Sequence, residues 1–427
     1  MKVSRYNIFF PYLDNVVGYN SLKNDFIFLT NELYELYTQT LANDITALKT
    51  LHPEFWDLLV DKLFIIPNET DELQQVKNLV HSIDCCPEHY HLIINPTLNC
   101  NFSCWYCYET HIKGSKMNDE TIDRVKKHII EVLKNKTIKN FTVSWFGGEP
   151  LLYYKQVVTP ILEFITEYIA DKDIQFSTNF TSNGMLINKK LLEDAGRFKI
   201  NYFQITLDGH KEQHNKVRCS GNKKGSYDEI VSNIKKCLKS NIHVNCRLNI
   251  SKDTFQGIEK IIDDFAELSS EDRKFLTFSF HQVWQEETNL HNQILELIEL
   301  FKSNNYSTQY NMYTDTVRDS CYADKKQQAI INYNGDAFKC SARDFTAENR
   351  KGVLKEDGTI EWNEKYYAQM NAKFKNSPCI RCKILPICNG GCSQKAIESK
   401  DVEYCIRDFD ENKKIEVVLA KLELALS

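Results

Sequence analysis

The sequence has little of what marks fibrous, disordered or membrane-spanning chains. Only 15 glycines and 9 prolines occur among 427 residues, which excludes a collagen-like repeat and a linker-rich chain. No run reaches 18 apolar residues, so no membrane span is expected. The segment Met1–Arg5 opens neither an uninterrupted apolar stretch nor a small-residue cleavage site, so we expect a cytoplasmic protein.

An excess of basic charge is also missing. The 53 Lys and Arg residues against 58 Asp and Glu give a net charge of −5, without a long basic run. This balance argues against nucleic-acid binding. Hydrophobic residues make up 42% of the chain, enough for a large core, and the length predicts two or three domains.

Cysteine, in contrast, is abundant. Fifteen cysteines in a chain expected to keep its thiols reduced favour metal ligation over a disulfide framework. They form a tight group at 100–107 and a set of seven between 321 and 405. Two separate metal-bearing regions are therefore predicted. The other five are expected mostly to be structural: Cys85, Cys86, Cys219, Cys237 and Cys246.

The first 82 residues combine β-like alternation, two helix patterns and a short extended piece. Thr30 or Asn31 is suited to cap the first helix, and Pro53 suits the first turn of the second. Residues 1–82 are therefore predicted to be a small winged-helix-like module.

Residues 83–310 alternate strand-like and helix-like segments. Such alternation predicts a parallel sheet with right-handed crossovers, here an α/β fold with a partial (β/α)6 TIM-like barrel. The six predicted strands are Leu92–Ile94, Phe141–Trp145, Ile174–Phe180, Tyr202–Leu207, Val244–Ile250 and Phe275–Val283.

The fourth and fifth of these strands have one polar face each. Strands of a packed barrel are usually apolar on both faces, so a repeated polar face predicts an interior that holds a polar ligand towards its carboxyl-terminal mouth. The residues on these faces are Gln204, Thr206 and Asp208, and Asn245, Arg247 and Asn249.

The first cysteine group has the spacing C-x3-C-x2-C and follows the first predicted strand of the barrel. Its members, Cys100, Cys104 and Cys107, suit three irons of a [4Fe–4S] cluster and leave the fourth iron open for chemistry. Ligands in such folds bind beyond the carboxyl ends of the strands, where this loop lies. A zinc site is the alternative.

This loop resembles the signature of the radical S-adenosylmethionine (radical SAM) enzymes, with Tyr106 in the aromatic position. Gly147, Gly148 and Glu149, followed by Pro150, resemble the Gly-Gly-Glu-Pro motif of that family. Glycines let a backbone approach a ligand closely, and Glu149 is expected to accept hydrogen bonds from the ammonium group of SAM.

Further pieces match the family less closely. The segment Ile205–Arg218 resembles a Ser-x-Asp-Gly…His-Asp-x-x-Arg stretch, with Thr206 in place of Ser and Asn215 in place of Asp. The resemblance implies that cluster and SAM together generate a 5′-deoxyadenosyl radical that abstracts hydrogen from a substrate. It also implies further SAM contacts by Ser182, Asn183 and Arg218, and we add Thr206, Asp208 and Arg247 as candidates.

The seven later cysteines resemble the SPASM extension of radical SAM enzymes, predicted here over residues 311–410 and followed by a helix at 411–427. Family precedent implies two auxiliary [4Fe–4S] clusters, and therefore three clusters in total. The first would be bound by Cys379, Cys382, Cys388 and Cys405, and the second by Cys321, Cys340 and Cys392. The second set has three cysteines, so an open iron or a ligand other than cysteine is expected there.

Two features of the sequence bear on the class of substrate. Ser341 stands where the resembling sulfatase maturases have an Asp, and residues 1–82 resemble leader-recognition modules. Both features favour a maturase of ribosomally made (RiPP) precursor peptides that forms a thioether or carbon–carbon crosslink. Expected partners are the precursor peptide and an electron donor such as flavodoxin or ferredoxin, without nucleic acid or membrane; a monomer or small homo-oligomer is expected. A sulfatase-maturase-like enzyme and a non-enzymatic zinc-containing binding protein are the alternatives.

Overall fold

The computed structural model describes residues 1–218, 225–310, 315, 317–399 and 402–426. The chain divides into two compact units, each of which is discontinuous in sequence. The terminal unit comprises Met1–Cys86, Met312–Lys326 and Tyr367–Ser427, and the sheet unit comprises Pro87–Asn311 and Gln327–Tyr366.

The terminal unit begins with a small antiparallel sheet followed by helices. Thr30 caps α1 by accepting from the backbone N–H of Leu33, and Pro53 is the first residue of α3, as predicted. The strand order is β2-β3-β4, while β1 pairs with β5. The elements are β1 (Lys2–Val3), β2 (Asn7–Tyr12), β3 (Asn15–Asn20), β4 (Asp25–Leu29), α1 (Asn31–Asn43), α2 (Leu48–Leu51), α3 (Pro53–Asp61), β5 (Ile65–Ile66) and α4 (Glu72–Asp84).

The sheet unit alternates strands and helices over most of its length. Its first part contains β6 (His89–Ile94), α5 (Asp119–Leu133), β7 (Asn140–Trp145), α6 (Thr159–Tyr168), β8 (Gln175–Ser182), α7 (Lys189–Asp194), β9 (Ile200–Leu207), α8 (Lys211–Val217), α9 (Tyr227–Lys239), β10 (His243–Ile250), α10 (Ile261–Asp264), α11 (Ser270–Arg273), β11 (Leu276–Gln282), α12 (His291–Ser303) and β12 (Ser307–Gln309). It continues with β13 (Gln328–Ile331), β14 (Asp336–Phe338), β15 (Gly352–Leu354), β16 (Ile360–Trp362) and α13 (Glu364–Met370), the last of which runs into the terminal unit.

The strands of the sheet unit form one large sheet in the order β12-β11-β10-β9-β8-β7-β6-β13-β14-β15-β16. Neighbours from β12 to β13 are parallel, whereas β13 to β16 are antiparallel. The α/β class with a large parallel sheet is therefore confirmed, and all six predicted strands are present. The parallel strand β13, which pairs with β6, was not predicted.

The two faces of the sheet differ in polarity. One face packs against the helices through residues such as Phe203, Ile205 and Leu248, which are fully buried. The other face carries Thr206 and Asn245, which are buried as well although they are polar. The polar and apolar residues of these strands thus lie on opposite faces, as the alternation predicts, whereas the bound polar ligand stays a prediction.

The remainder of the terminal unit covers the small sheet. One face of β2-β3-β4 packs against α1 and α3, and the other packs against α15 and α17. Within the described residues, no helix is long and apolar enough to span a bilayer. The helices are α14 (Ser377–Arg381), α15 (Leu385–Cys388), α16 (Ser393–Glu398) and α17 (Glu411–Leu426).

Candidate active site

The three cysteines of the first group lie in the loop that follows β6. Cys100 and Cys104 are half-buried against the core of the sheet unit, while Cys107 is exposed. The Asn183 side chain, at the end of β8, donates to Asn101 Oδ1 over 2.7 Å and lies 3.9 Å from Cys100 Sγ. The loop is thereby fixed to a second strand end.

The chemistry of these thiols fits a metal cluster. Burial, together with the charges of Glu149 and Cys104, raises the pKa of Cys100 to about 12. Thiolates are therefore disfavoured at this position unless cations compensate them, as the irons of a cluster would. Such a cluster would be held by Cys100, Cys104 and Cys107, and it would supply one-electron chemistry.

The glycine pair after β7 packs directly against the start of the cysteine loop. A Cβ atom on Gly148 would lie 2.3 Å from the carbonyl oxygen of Asn99, and one on Gly147 would lie 2.7 Å from Asn95 Cβ. Both glycines have positive φ, at 77° for Gly147 and 49° for Gly148. Glycine is thus required here by the close approach of two loops, in addition to any ligand.

Glu149 is fully buried behind this glycine pair. Its Oε1 accepts from Ser182 Oγ at 2.9 Å and from the Leu151 N–H at 3.0 Å, and its Oε2 accepts from the Asn183 N–H at 2.8 Å. Burial nevertheless raises its pKa to about 7. The carboxylate is well oriented, and the charge of Arg218 offsets only part of the effect of burial, so it is suited to bind a ligand ammonium group.

Tyr106, Asp208 and Arg218 form a buried cluster next to the cysteines. The Tyr106 hydroxyl lies 2.8 Å from both Asp208 oxygens, Arg218 Nε donates to Asp208, and an Arg218 Nη donates to the Tyr106 hydroxyl at 2.6 Å. His214 supports the group by accepting from the Asp208 N–H at 3.3 Å. The structure thus joins three predicted site residues, in a network that positions the cysteine loop.

The remaining candidates lie on the polar face of the sheet. Arg247 is opposite Thr206 in the register of β10 and β9, and its Nε donates to Asn249 Oδ1 at 2.8 Å. Burial, together with the charge of Arg247, lowers the pKa of His281 to about 4. A guanidinium and a neutral imidazole therefore face the interior at neutral pH.

Two buried oxygens on this face lack hydrogen-bond partners among the described residues. They are Asn245 Oδ1 and Ser279 Oγ, on the neighbouring strands β10 and β11. Buried polar atoms are normally satisfied, so such atoms indicate that a polar molecule or water completes the interior.

Two acidic residues at the cysteine loop were not predicted as site residues. Glu109 accepts from the Gly148 N–H at 2.8 Å, and burial raises its pKa to about 7. Asp344 accepts from the Thr110 N–H at 2.9 Å, although it lies three positions after the expected register. The position of Glu109, two residues after a cysteine ligand, was the available signal.

Four of the later cysteines line one small cavity of about 30 Å³ in the terminal unit. Burial, together with the nearby thiols of Cys382 and Cys379, raises the pKa of Cys388 to about 12. Asn376 Nδ2 donates to Cys379 Sγ at 2.9 Å. This donor set suits a metal cluster; the four cysteines are Cys379, Cys382, Cys388 and Cys405.

The remaining three of the seven later cysteines belong to different units. Cys321 and Cys392 are part of the terminal unit, and Cys340 is part of the sheet unit, so their common cluster stays a prediction. Among the described residues, no three His, Cys, Asp or Glu side chains converge on a position for one metal ion. Cys219 lies outside the described residues.

The cysteine loop, the glycine pair and Glu149 lie together where strands of the parallel sheet end. Consistent with this, residues 94–265 match the radical SAM superfamily, so the chain carries a radical SAM domain. This confirms the family resemblance of the sequence motifs.

Relatives extend the similarity beyond that domain. A cysteine-type anaerobic sulfatase-maturating enzyme of Clostridium novyi is 31% identical over 44% of this chain, which spans only 50% of that protein. The radical SAM cyclopropyl synthase TigE of Paramaledivibacter caminithermalis is 21% identical over 86% of this chain and 81% of its own. Streptococcus suis SuiB bound to its precursor peptide SuiA shares the fold, with a TM-score of 0.55, 17% identity and coverage of 94% and 98% of the two chains.

Proposed function

We propose that this protein is a radical SAM peptide maturase that crosslinks a ribosomally made precursor peptide. The observation that carries the SAM part is the buried Glu149, held by three donors at the edge of the cysteine loop. The peptide part is supported by the similarity to SuiB, a structure with a bound precursor peptide, which covers 94% of this chain.

Different residues of the sheet unit have different roles in binding SAM. Glu149 binds the ammonium group, and its partner Asn183 also reaches the cysteine loop, so cofactor and cluster are held by one element. Arg218, once neutralised by Asp208, keeps the loop in place. When bound, cluster and SAM supply a radical that abstracts hydrogen from the substrate. The buried polar face orients the polar parts of both ligands.

Two auxiliary [4Fe–4S] clusters complete the proposal, and both serve to accept or relay electrons. Cys379, Cys382, Cys388 and Cys405 bind the first, which is closed because each iron has a protein ligand. Cys321, Cys340 and Cys392 bind the second, which keeps one iron free of cysteine. A flavodoxin or ferredoxin supplies the electron for SAM cleavage.

The small sheet of the terminal unit is the proposed site for the leader of the precursor peptide. In the order β2-β3-β4, the edge strands are β2 and β4, and an extended peptide can add to such an edge through main-chain hydrogen bonds. This assignment gives a role to the winged-helix-like module, proposed over residues 1–82. The partial barrel is proposed over residues 83–310 and the SPASM region over residues 311–410.

The test is anaerobic reconstitution followed by assays with a co-expressed candidate peptide. Cys104→Ala is expected to abolish SAM cleavage, whereas Cys388→Ala is expected to retain uncoupled cleavage and lose product. Mass spectrometry of the peptide is expected to show a loss of about 2 Da per crosslink, since two hydrogens leave. Full product formation by Cys388→Ala would contradict a role for the auxiliary cluster.

A sulfatase-maturase-like activity is the second candidate, favoured by the contact of Asp344 with Thr110 at the cysteine loop. Formylglycine formation on a sulfatase-motif peptide would support it over crosslinking. Zinc without iron in anaerobically purified protein would contradict both activities.

A further inference from the structure

A buried polar chain in the terminal unit connects two of the cysteines assigned to the second auxiliary cluster. At its centre, Lys373 Nζ lies 2.5 Å from Asp84 Oδ2 and 3.1 Å from Asp324 Oδ2. The three side chains are only 11%, 10% and 6% exposed. One ammonium group thus holds together two carboxylates that would otherwise repel each other.

Each carboxylate is in turn bonded to a serine beside a cysteine. Ser320 Oγ donates to Asp84 Oδ1 at 2.5 Å, and Ser320 immediately precedes Cys321. Ser393 Oγ donates to Asp324 Oδ1, and Ser393 immediately follows Cys392. Lys373 is therefore linked symmetrically to the two cysteine positions.

Gln369 reinforces the link through Ser393, whereas Cys321 and Cys392 themselves are exposed. Gln369 Nε2 donates to Ser393 Oγ at 3.3 Å and lies 3.5 Å from the Ala323 carbonyl oxygen. Cys321 and Cys392 are exposed, so core packing does not fix their positions. The network thus fixes the residues next to both cysteines.

We propose that Lys373 is a positioning residue for the second auxiliary cluster, since it keeps the segments of Cys321 and Cys392 at the separation that a cluster requires. The proposal rests on the assignment of that cluster under the proposed function. An arrangement needed only for folding would be served equally well by apolar residues, because buried ion pairs are poor sources of stability.

The test compares Lys373→Met with Lys373→Arg, which keeps the charge, and with Lys375→Met, a control on an exposed lysine two positions away. Each reconstituted protein is measured for iron per chain, electron paramagnetic resonance of the reduced clusters, and thermal unfolding. For Lys373→Met we expect about one third of the iron and one auxiliary signal to disappear, because one of three clusters is lost. Lys373→Arg and Lys375→Met are expected to retain the full iron content and that auxiliary signal.

A milder variant keeps the test valid if Lys373→Met fails to fold. Ser393→Ala removes one link and leaves the ion pairs in place, and it is expected to change the same auxiliary signal while the other signals persist. Unchanged iron and spectra in folded Lys373→Met would overturn the proposal. If Cys321→Ala and Cys392→Ala also keep all their iron, the cluster assignment itself is wrong, which distinguishes the two failures.

Discussion

The side chain of Ser21 donates a hydrogen bond to the backbone carbonyl of Lys383, a residue that lies 362 positions later and directly follows Cys382. Arg5 makes a similar contact, with an Nη donating to the Ile380 carbonyl at 2.6 Å. Both bonds lie within the terminal unit. The small amino-terminal sheet and the first auxiliary cysteine loop are consequently one packed element.

The packing predicts that metal in this loop stabilises the sheet. Removing iron from the Cys388 site is expected to increase amide hydrogen exchange in β2 and β3, because Ile8 and Tyr19 pack with Ile387 beside that cysteine. Hydrogen-exchange mass spectrometry of Cys388→Ala measures this, with Cys104→Ala as control. Equal protection in both variants would show that the two regions are independent.

The close contact of Gly148 with Asn99 predicts a severe effect of a single methyl group. Gly148→Ala forces a Cβ against a backbone oxygen at positive φ, and we expect a loss of about 1–3 kcal/mol or more in unfolding free energy, together with reduced iron binding. Gly196→Ala is the control, because its Cβ would meet nothing within 4 Å. Denaturant unfolding and iron analysis give the comparison; equal stability of the two variants would contradict the geometry.

The buried pair of Asp208 and Arg218 predicts unequal effects of two conservative changes. Asp208→Asn leaves the Arg218 guanidinium without its counter-charge and is expected to lower the unfolding free energy by about 3–5 kcal/mol. Tyr106→Phe loses hydrogen bonds and is expected to lower it by about 1–2 kcal/mol. Urea unfolding measures both. Asp173→Asn, on a carboxylate that is 96% exposed, is expected to change stability by less than about 0.5 kcal/mol.

The raised pKa of Glu149 predicts a pH dependence. Its pKa increases from the usual 4.5 to about 7 in the folded protein, so between these values the folded state binds a proton that the unfolded chain has released. The unfolding free energy of the metal-free protein should therefore fall as pH rises from 5.5 to 7.5, by on the order of 2 kcal/mol from this residue.

Urea unfolding at the two pH values tests this dependence. Glu149→Gln is expected to remove that part of the slope, and Glu120→Gln, on a carboxylate that is 68% exposed, is expected to leave it unchanged. Glu109, whose pKa is also raised to about 7, is expected to contribute a similar part of the slope that persists in Glu149→Gln. A slope in Glu149→Gln equal to that of the unchanged protein would contradict the prediction.

Local patterns carried the sequence predictions that proved correct. Strand alternation located β9 and β10 and separated Thr206 and Arg247 from the apolar residues of the core. Cap chemistry located the start of α1 at Thr30. These signals work because they depend on neighbours within one strand or one helical turn.

Contacts between distant segments were beyond such patterns. The pairing of β13 with β6 joins residues more than 200 positions apart, and nothing in the run Gln328–Ile331 specifies its partner. Lys373 likewise has an ordinary sequence context, and its role emerges only from Asp84 and Asp324. Motif spacing predicted the cysteine ligands, whereas the residues around them are brought together only by the fold.

The discontinuity of the terminal unit has a consequence for biosynthesis. Residues 1–86 are synthesised before the rest of the unit, but one of the two apolar faces of β2-β3-β4 is covered only when α15 and α17 have been made. During translation of the intervening chain, Ile8, Phe10 and Val17 lack their native cover. The nascent protein therefore carries an unprotected apolar surface through most of its synthesis, a state that is prone to aggregation and that chaperones protect.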